Sequence, residues 1–189
     1  GAILMKDRKH ALQAEIIREK GTNRSSFFRG EIDKYSWVGL GSSYLPGEMC
    51  AAFLYAQMIE AESITKKRMS IWDKYHESFS ELELSGIVRR PTIPKECSHN
   101  AHMYYLLLPS LEIRTRVIEA LRSHGIQCPF HYVPLHRSAY GKAVGRAVGG
   151  LAVTDSVSDC LVRLPMWVGI EPNLDYVIEK VIETLNRLK

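Results

Sequence analysis

The feature that most constrains this chain is a helical pattern running from Pro46 to Gly86 with no cap inside it. Pro46 suits a first helical turn, and Glu48 suits the positive end of a helix. Apolar residues at Phe53, Ile64, Ile71, Trp72, Tyr75, Phe79 and Leu82 approximate helical spacing, while Lys66, Lys67, Arg68 and Asp73 read as a solvated face. One continuous helix is expected, and a helix of that length links two domains or lies across an interface.

The flanks are shorter-ranged. Gly1 to Met5 is an apolar run that reads as a strand, followed by Asp7 as N-cap and a helix ending before Gly21. A lone strand needs partners, so the simplest expectation is a larger sheet whose other strands lie outside this sequence. Beyond Gly86, Met103 to Leu108 reads as a strand, Ser110 to His124 as a helix closed by Gly125, and Ile126 to Val133 as a second strand. A glycine-dotted loop precedes a third strand, Leu161 to Met166, and after Pro172 a final helix carries Leu174, Val177, Ile178, Val181, Ile182, Leu185 and Leu188 on one stripe. This β-α-β-β-α order predicts a small sheet with helices packed on one face.

Composition excludes some classes. The 189 residues are 46% apolar, enough to fill a core, and 25 basic against 21 acidic residues give a scattered charge of +4 that demands no polyanionic partner. No apolar run reaches the roughly 20 residues of a membrane helix. Cys50, Cys97, Cys128 and Cys160 form no C-x-x-C pair and read as reduced, cytoplasmic thiols. Metal chemistry is not expected: His131 and His136 in "FHYVPLH" fall on opposite strand faces with Pro134 between them, and Cys97, His99 and His102 lack a second ligand cluster. "GKAVGRAVGG" has Ala143 where a P-loop needs Ser or Thr and reads as a mobile surface loop.

The segment from Glu19 to Ala52 is richer than a connector requires. Arg24, Arg29 and Lys34 are interleaved with Phe27, Phe28, Tyr35 and Trp37, a mixture suited to an anionic ligand carrying a flat ring. A solvated loop with buried aromatic anchors is the alternative.

The stretches "REKGTNR", "FFRG", "DKYSW", "GSSYL" and "AHMYYLLL…FHYVPLH…RLP" together resemble the later half of the sugar-nucleotide aminotransferases, the DegT/StrS-like branch of fold type I pyridoxal-phosphate (PLP) enzymes, in order along nearly the whole chain. Among its members the resemblance is nearest to the dTDP-4-amino-4,6-dideoxygalactose transaminases. It implies the C-terminal part of that α/β fold: residues 1–45 as the end of the large domain with an active-site loop, 46–86 as a long connecting helix, and 87–189 as a small α+β domain. It also implies PLP as cofactor, glutamate and a nucleotide-linked 4-keto-6-deoxy sugar as substrates, and a cytoplasmic homodimer with shared sites. The family's Schiff-base lysine aligns before Gly1, so no catalytic residue is assigned here and the chain is expected to be inactive alone. Arg29 and Lys34, with Tyr35, would hold the sugar nucleotide's pyrophosphate, and His136 of "YVPLH" would face the sugar or nucleotide. Ser43 stands where many relatives carry an asparagine that reaches the PLP phosphate, leaving open whether Ser42, Ser43 or a backbone amide makes that bond. A self-contained single-stranded RNA or nucleotide-binding module, and a PLP sugar dehydratase relative, are the alternatives.

Overall fold

The computed structural model describes residues 2–188. The chain divides into two compact units, Gly1–Ile59 and Glu60–Lys189.

In the first unit, α1 (Arg8–Arg18) starts where the Asp7 carboxylate accepts the Lys9 N–H at 2.9 Å, an N-cap that satisfies one of the helix's orphan donors. It stops at Gly21, whose φ of +79° is open to glycine and whose N–H bonds Ile16 O at 2.8 Å. After α2 (Arg24–Phe28), the chain returns beside the end of α1 through isolated bridges Thr22↔Trp37 and Glu19↔Ser43. Backbone meets backbone here. A Cβ on Gly21 would lie 1.8 Å from Gly39 O, and one on Gly41 would lie 2.1 Å from Gly21 N. α3 (Glu48–Ile59) closes the unit with no buried residue. The strand expected over Gly1 to Met5 is absent from residues 2–5, and Gly1 lies outside the described residues. Leu4 is 98% exposed, and no described strand offers this run a ladder.

The second unit holds the core. α4 (Ala61–Ser78) and α5 (Ser80–Leu84) lead to β1 (Tyr104–Leu107), α6 (Leu111–Ser123), a 3₁₀ turn (Leu135–Arg137), α7 (Ala139–Val144), α8 (Ala152–Cys160), β2 (Leu161–Leu164) and α9 (Leu174–Arg187). β1 and β2 pair antiparallel, Tyr104 opposite Leu164 through Leu107 opposite Leu161. Alternation places Tyr104, Leu106, Val162 and Leu164 in the core with Ile71, Tyr75 and Phe79 of α4, Val117 and Leu121 of α6, and Val177, Val181 and Leu185 of α9. The Tyr75 hydroxyl donates to Pro165 O at 2.9 Å, and Ser110 caps α6 by accepting the Ile113 N–H.

Three expectations need correcting. The helix anticipated from Pro46 to Gly86 is three segments, α3, α4 and α5. Near Phe79 the hydroxyls of Ser78 and Ser80 bond the carbonyls of Lys74 and Glu77 at 2.7 Å, a local competition that disturbs helical regularity; the break at Glu60 falls on neither Gly nor Pro, and nothing in the local sequence explains it. The strand over Ile126 to Val133 is reduced to a single bridge, Phe130↔Val162, because Pro129 and Pro134 can donate nothing to a ladder. The glycine-dotted loop contains α7, capped where Ser138 Oγ accepts the Gly141 N–H at 3.0 Å, and is followed by the unanticipated α8. Gly141 and Lys142 thus lie on a short helix.

Candidate active site

The first unit carries Arg29, Lys34, Tyr35 and Ser43, and the second carries His136. Arg29 is heavily engaged. Its Nη1 donates to the Glu15 carboxylate at 2.9 and 3.1 Å and its Nε to Glu31 at 2.7 Å, while Nη2 reaches Glu31 and Ser26 Oγ. The bonds to Glu31 and then Glu15 hold the guanidinium proton more tightly than usual, and Arg29 in turn holds the Glu31 carboxyl below its ordinary value. Arg29 can grip an added anion only by releasing a carboxylate. Lys34, by contrast, is exposed and has no hydrogen-bond or ion-pair partner among the described residues.

Tyr35 belongs to an aromatic ridge. Its ring meets Phe27 edge-on at 5.6 Å, Phe27 meets Phe28 at 5.7 Å, and the Arg24 guanidinium lies 5.0 Å from the Phe28 ring. The loop behind this ridge is closed by Asn23, whose Oδ1 accepts the Ser36 N–H at 2.7 Å and whose N–H reaches Ser36 O. Burial would push Glu19 up, but hydrogen bonds from Ser25 and Arg18 outweigh it and leave the carboxyl low. The aromatic rings are exposed, so the buried-anchor reading of this loop does not describe them.

The Ser43 backbone is set by its neighbours. Lys20 N–H bonds Ser42 O, Ser42 N–H bonds Ile17 O and Tyr44 N–H bonds Arg18 O, so residues on both sides of Ser43 are committed to α1 and its turn. The N–H and the hydroxyl of Ser43 itself have no partner among the described residues. Two donors on one exposed residue suit a phosphate oxygen. Ser42, with its amide spent, is the poorer candidate.

His136 lies in the 3₁₀ turn after Pro134, and its Nε2 is 2.9 Å from Asp155 Oδ1 on α8. Arg137 beside it bonds Asp159 at 3.1 Å and approaches Asp155 at 3.8 Å. His99 packs against Trp72 and accepts the Ala101 N–H, and His102 pairs with Asn100; no group of three or more His, Cys, Asp or Glu suited to a metal occurs among the described residues. Sequence reasoning did not name Glu15, Glu31 or Asp155. Glu15 and Asp155 are 14 and 19 residues from their partners, beyond any local spacing rule.

The DegT/DnrJ/EryC1/StrS aminotransferase family model matches residues 1–182. The chain belongs to that family. It is 28% identical over its whole length to an uncharacterized protein of Methanocaldococcus jannaschii, of which it covers 48%. It is 23% identical over 72% of its length to dTDP-4-dehydro-2,3,6-trideoxy-D-glucose 4-aminotransferase of Saccharopolyspora spinosa, of which it covers 36%. The chain therefore spans half or less of the curated relatives it matches. Among solved structures, the aminotransferase TlmJ of Streptoalloteichus hindustanus superposes with a TM-score of 0.81 at 17% identity, over 98% of this chain and 47% of that one. A Streptococcus pneumoniae protein solved in a PMP form gives 0.78 at 18% identity, over 100% of this chain and 48% of that one. These likenesses establish the fold as part of the aminotransferase architecture, an α/β fold that is mostly helical with a small sheet. Family membership favours an enzyme part over the free-standing nucleotide-binding module. No helix among the described residues is long and apolar enough to cross a membrane.

Proposed function

We propose that this chain is the C-terminal part of a PLP-dependent aminotransferase that moves an amino group from glutamate to a nucleotide-linked 4-keto-6-deoxy sugar, in the cytoplasmic synthesis of cell-surface polysaccharide or lipopolysaccharide precursors. The observation that carries it is the family match over residues 1–182. Within it, residues 1–45 finish the large domain and 87–189 form the small one. When bound, PLP supplies the electron sink for amino-group transfer. Ser43 would hold its phosphate through the free N–H and hydroxyl.

The sugar nucleotide has to be fixed so that its keto carbon stays in reach. Lys34 is a cation without a carboxylate partner among the described residues and so available to the pyrophosphate, Tyr35 and the neighbouring rings offer flat apolar faces, and Arg29 joins only by exchanging Glu15 or Glu31 for phosphate. One charge-assisted contact of this kind, once desolvated, contributes about 1.5–3 kcal/mol. His136 contacts the sugar. The loop from Thr22 to Tyr44 would complete the site of a second copy in a homodimer, and the apolar side chains exposed on α3, including Met49, Phe53 and Met58, supply the kind of surface that association buries.

The full-length protein, given glutamate and a dTDP-4-keto-6-deoxy sugar, should yield the 4-amino sugar; no transfer from glutamate to any such keto sugar overturns the reading. The 189-residue chain alone, mixed with PLP and treated with borohydride, should acquire no stoichiometric pyridoxyl-lysine. For assembly, mixed dimers of a lysine-dead subunit and an Arg29/Lys34 double mutant, assayed with the sugar nucleotide well below its KM, should exceed the activity of either parent dimer, and failure to do so places the loop in its own subunit's site.

A further inference from the structure

We propose that Asp155 is a positioning residue that holds His136 with its proton on Nε2, so that Nδ1 is left as an acceptor and the ligand group read there is a hydroxyl and not a phosphate. The ligand class rests on the substrate-contact reading of His136; the positioning does not.

The backbone around the imidazole is tightly held. Pro134 enters the turn at φ −54°, Arg137 N–H and Ser138 N–H both bond Pro134 O, and Ser138 then caps α7. On the other side, α8 is tied to the segment before the turn by Ser158 Oγ, which donates to Tyr132 O at 3.0 Å. His136 and Asp155 thus meet at 2.9 Å from two anchored segments. An ionised carboxylate can only accept, so the shared proton belongs to His136 Nε2. In the neutral ring Nδ1 is then a lone pair, and it has no partner among the described residues, on a side chain that is 21% exposed. Which nitrogen of a histidine is free is set by what its other nitrogen bonds.

Charge narrows the ligand. Asp155 and Asp159 are one turn apart on α8; the Arg137 guanidinium pairs with both carboxylates, and Arg114 Nε donates to the Asp159 backbone O at 3.1 Å. A bare Nδ1 needs a donor, which a sugar hydroxyl supplies, whereas an ionised phosphate oxygen brings only lone pairs and negative charge.

Long-range ¹H–¹⁵N spectra of the 189-residue chain at about pH 8, above the ordinary imidazole range, test the positioning without any activity. Wild type should show Nε2 protonated and Nδ1 bare, and Asp155→Ala should spread the proton over both nitrogens. A wild-type ring protonated on Nδ1 overturns the proposal, and this reading needs no variant to fold. Added inorganic phosphate should leave the His136 shifts in place, and a saturable movement overturns the hydroxyl assignment. In the full-length enzyme, His136→Ala should raise KM for the keto sugar nucleotide by about one to two powers of ten and Asp155→Ala by about three- to tenfold, with the glutamate half-reaction unchanged. Asp155→Ala should add nothing on the His136→Ala background, and additive effects overturn the coupling. If His136→Ala leaves KM unchanged while the Nε2–H form is observed, the substrate reading and the ligand class fall and the positioning stands.

Discussion

The two units of this chain solve the problem of burial in opposite ways. Every residue of the hydrophobic core lies between Ile71 and Leu185, in the second unit, where Tyr75, Phe79, Tyr104 and Leu121 have no exposure at all. Among the described residues of the first unit only Gly21 and Ser26 are buried, and large side chains from Ile3 to Ile59 stand in the open, Trp37 at 77% and Met49 at 86%. The second unit is organised by side-chain packing. The first is organised by glycine-to-backbone contact and loop hydrogen bonds, and its apolar side chains are left exposed. A region rich in ligand-type residues can be well formed locally without a core of its own, since capping and turn bonds act over a few residues while hydrophobic stabilisation scales with area removed from water.

The largest effect that sharpens this contrast comes from a matched pair of truncations. Phe79→Ala should lower the unfolding free energy of the chain by about 3–5 kcal/mol in urea titration, whereas Phe53→Ala, at 71% exposure in α3, should change it by less than about 0.5 kcal/mol. Equal losses would mean that the first unit has a core after all. Next in size, Gly41→Ala must displace the Gly21 backbone and should release the returning segment from α1, raising amide exchange at Thr22 and Tyr44 while Leu106 and Val162 keep wild-type protection. Loss of protection in both places would show that the two units unfold together.

A smaller, kinetic effect separates two cations of the same loop. In the full-length enzyme, Lys34→Ala should raise KM for the sugar nucleotide about tenfold, and Arg29→Ala by distinctly less, because Glu15 and Glu31 already hold that guanidinium. A larger effect at Arg29 would mean that it leaves its carboxylates for the ligand. The smallest effect is a pH response confined to the second unit. Burial, then the nearby Arg90, hold His76 below its ordinary value of 6.5, with Glu83, Asp73 and His99 as the other charged or titratable neighbours. Above that value the ring is neutral folded and unfolded, and the stability is intact. As pH falls below it the unfolded chain takes the proton first, so Tm should decline and His76→Phe should flatten the decline. Glu83, held low mainly by its bond from the Arg90 N–H, acts in a separate window, losing stability only as pH drops below 4.5. A Tm that is flat from neutrality down to that point contradicts the assignment to His76.

What the sequence determined by itself was what short-range rules govern. Asp7 as a cap, Gly21 and Gly125 as helix stops with positive φ, and the stripe of α9 follow from hydrogen-bonding and steric rules that act within a turn or two, and the family resemblance came from motifs of the same reach. What only the tertiary structure decided depends on residues far apart in the chain. Glu15 converts Arg29 from an available cation into a committed one, and Asp155 converts His136 from a turn residue into a directed acceptor. In each case the local sequence permits several partners, and the choice among them is made by which side chains the packed fold brings within about 3 Å, a distance that no spacing rule encodes.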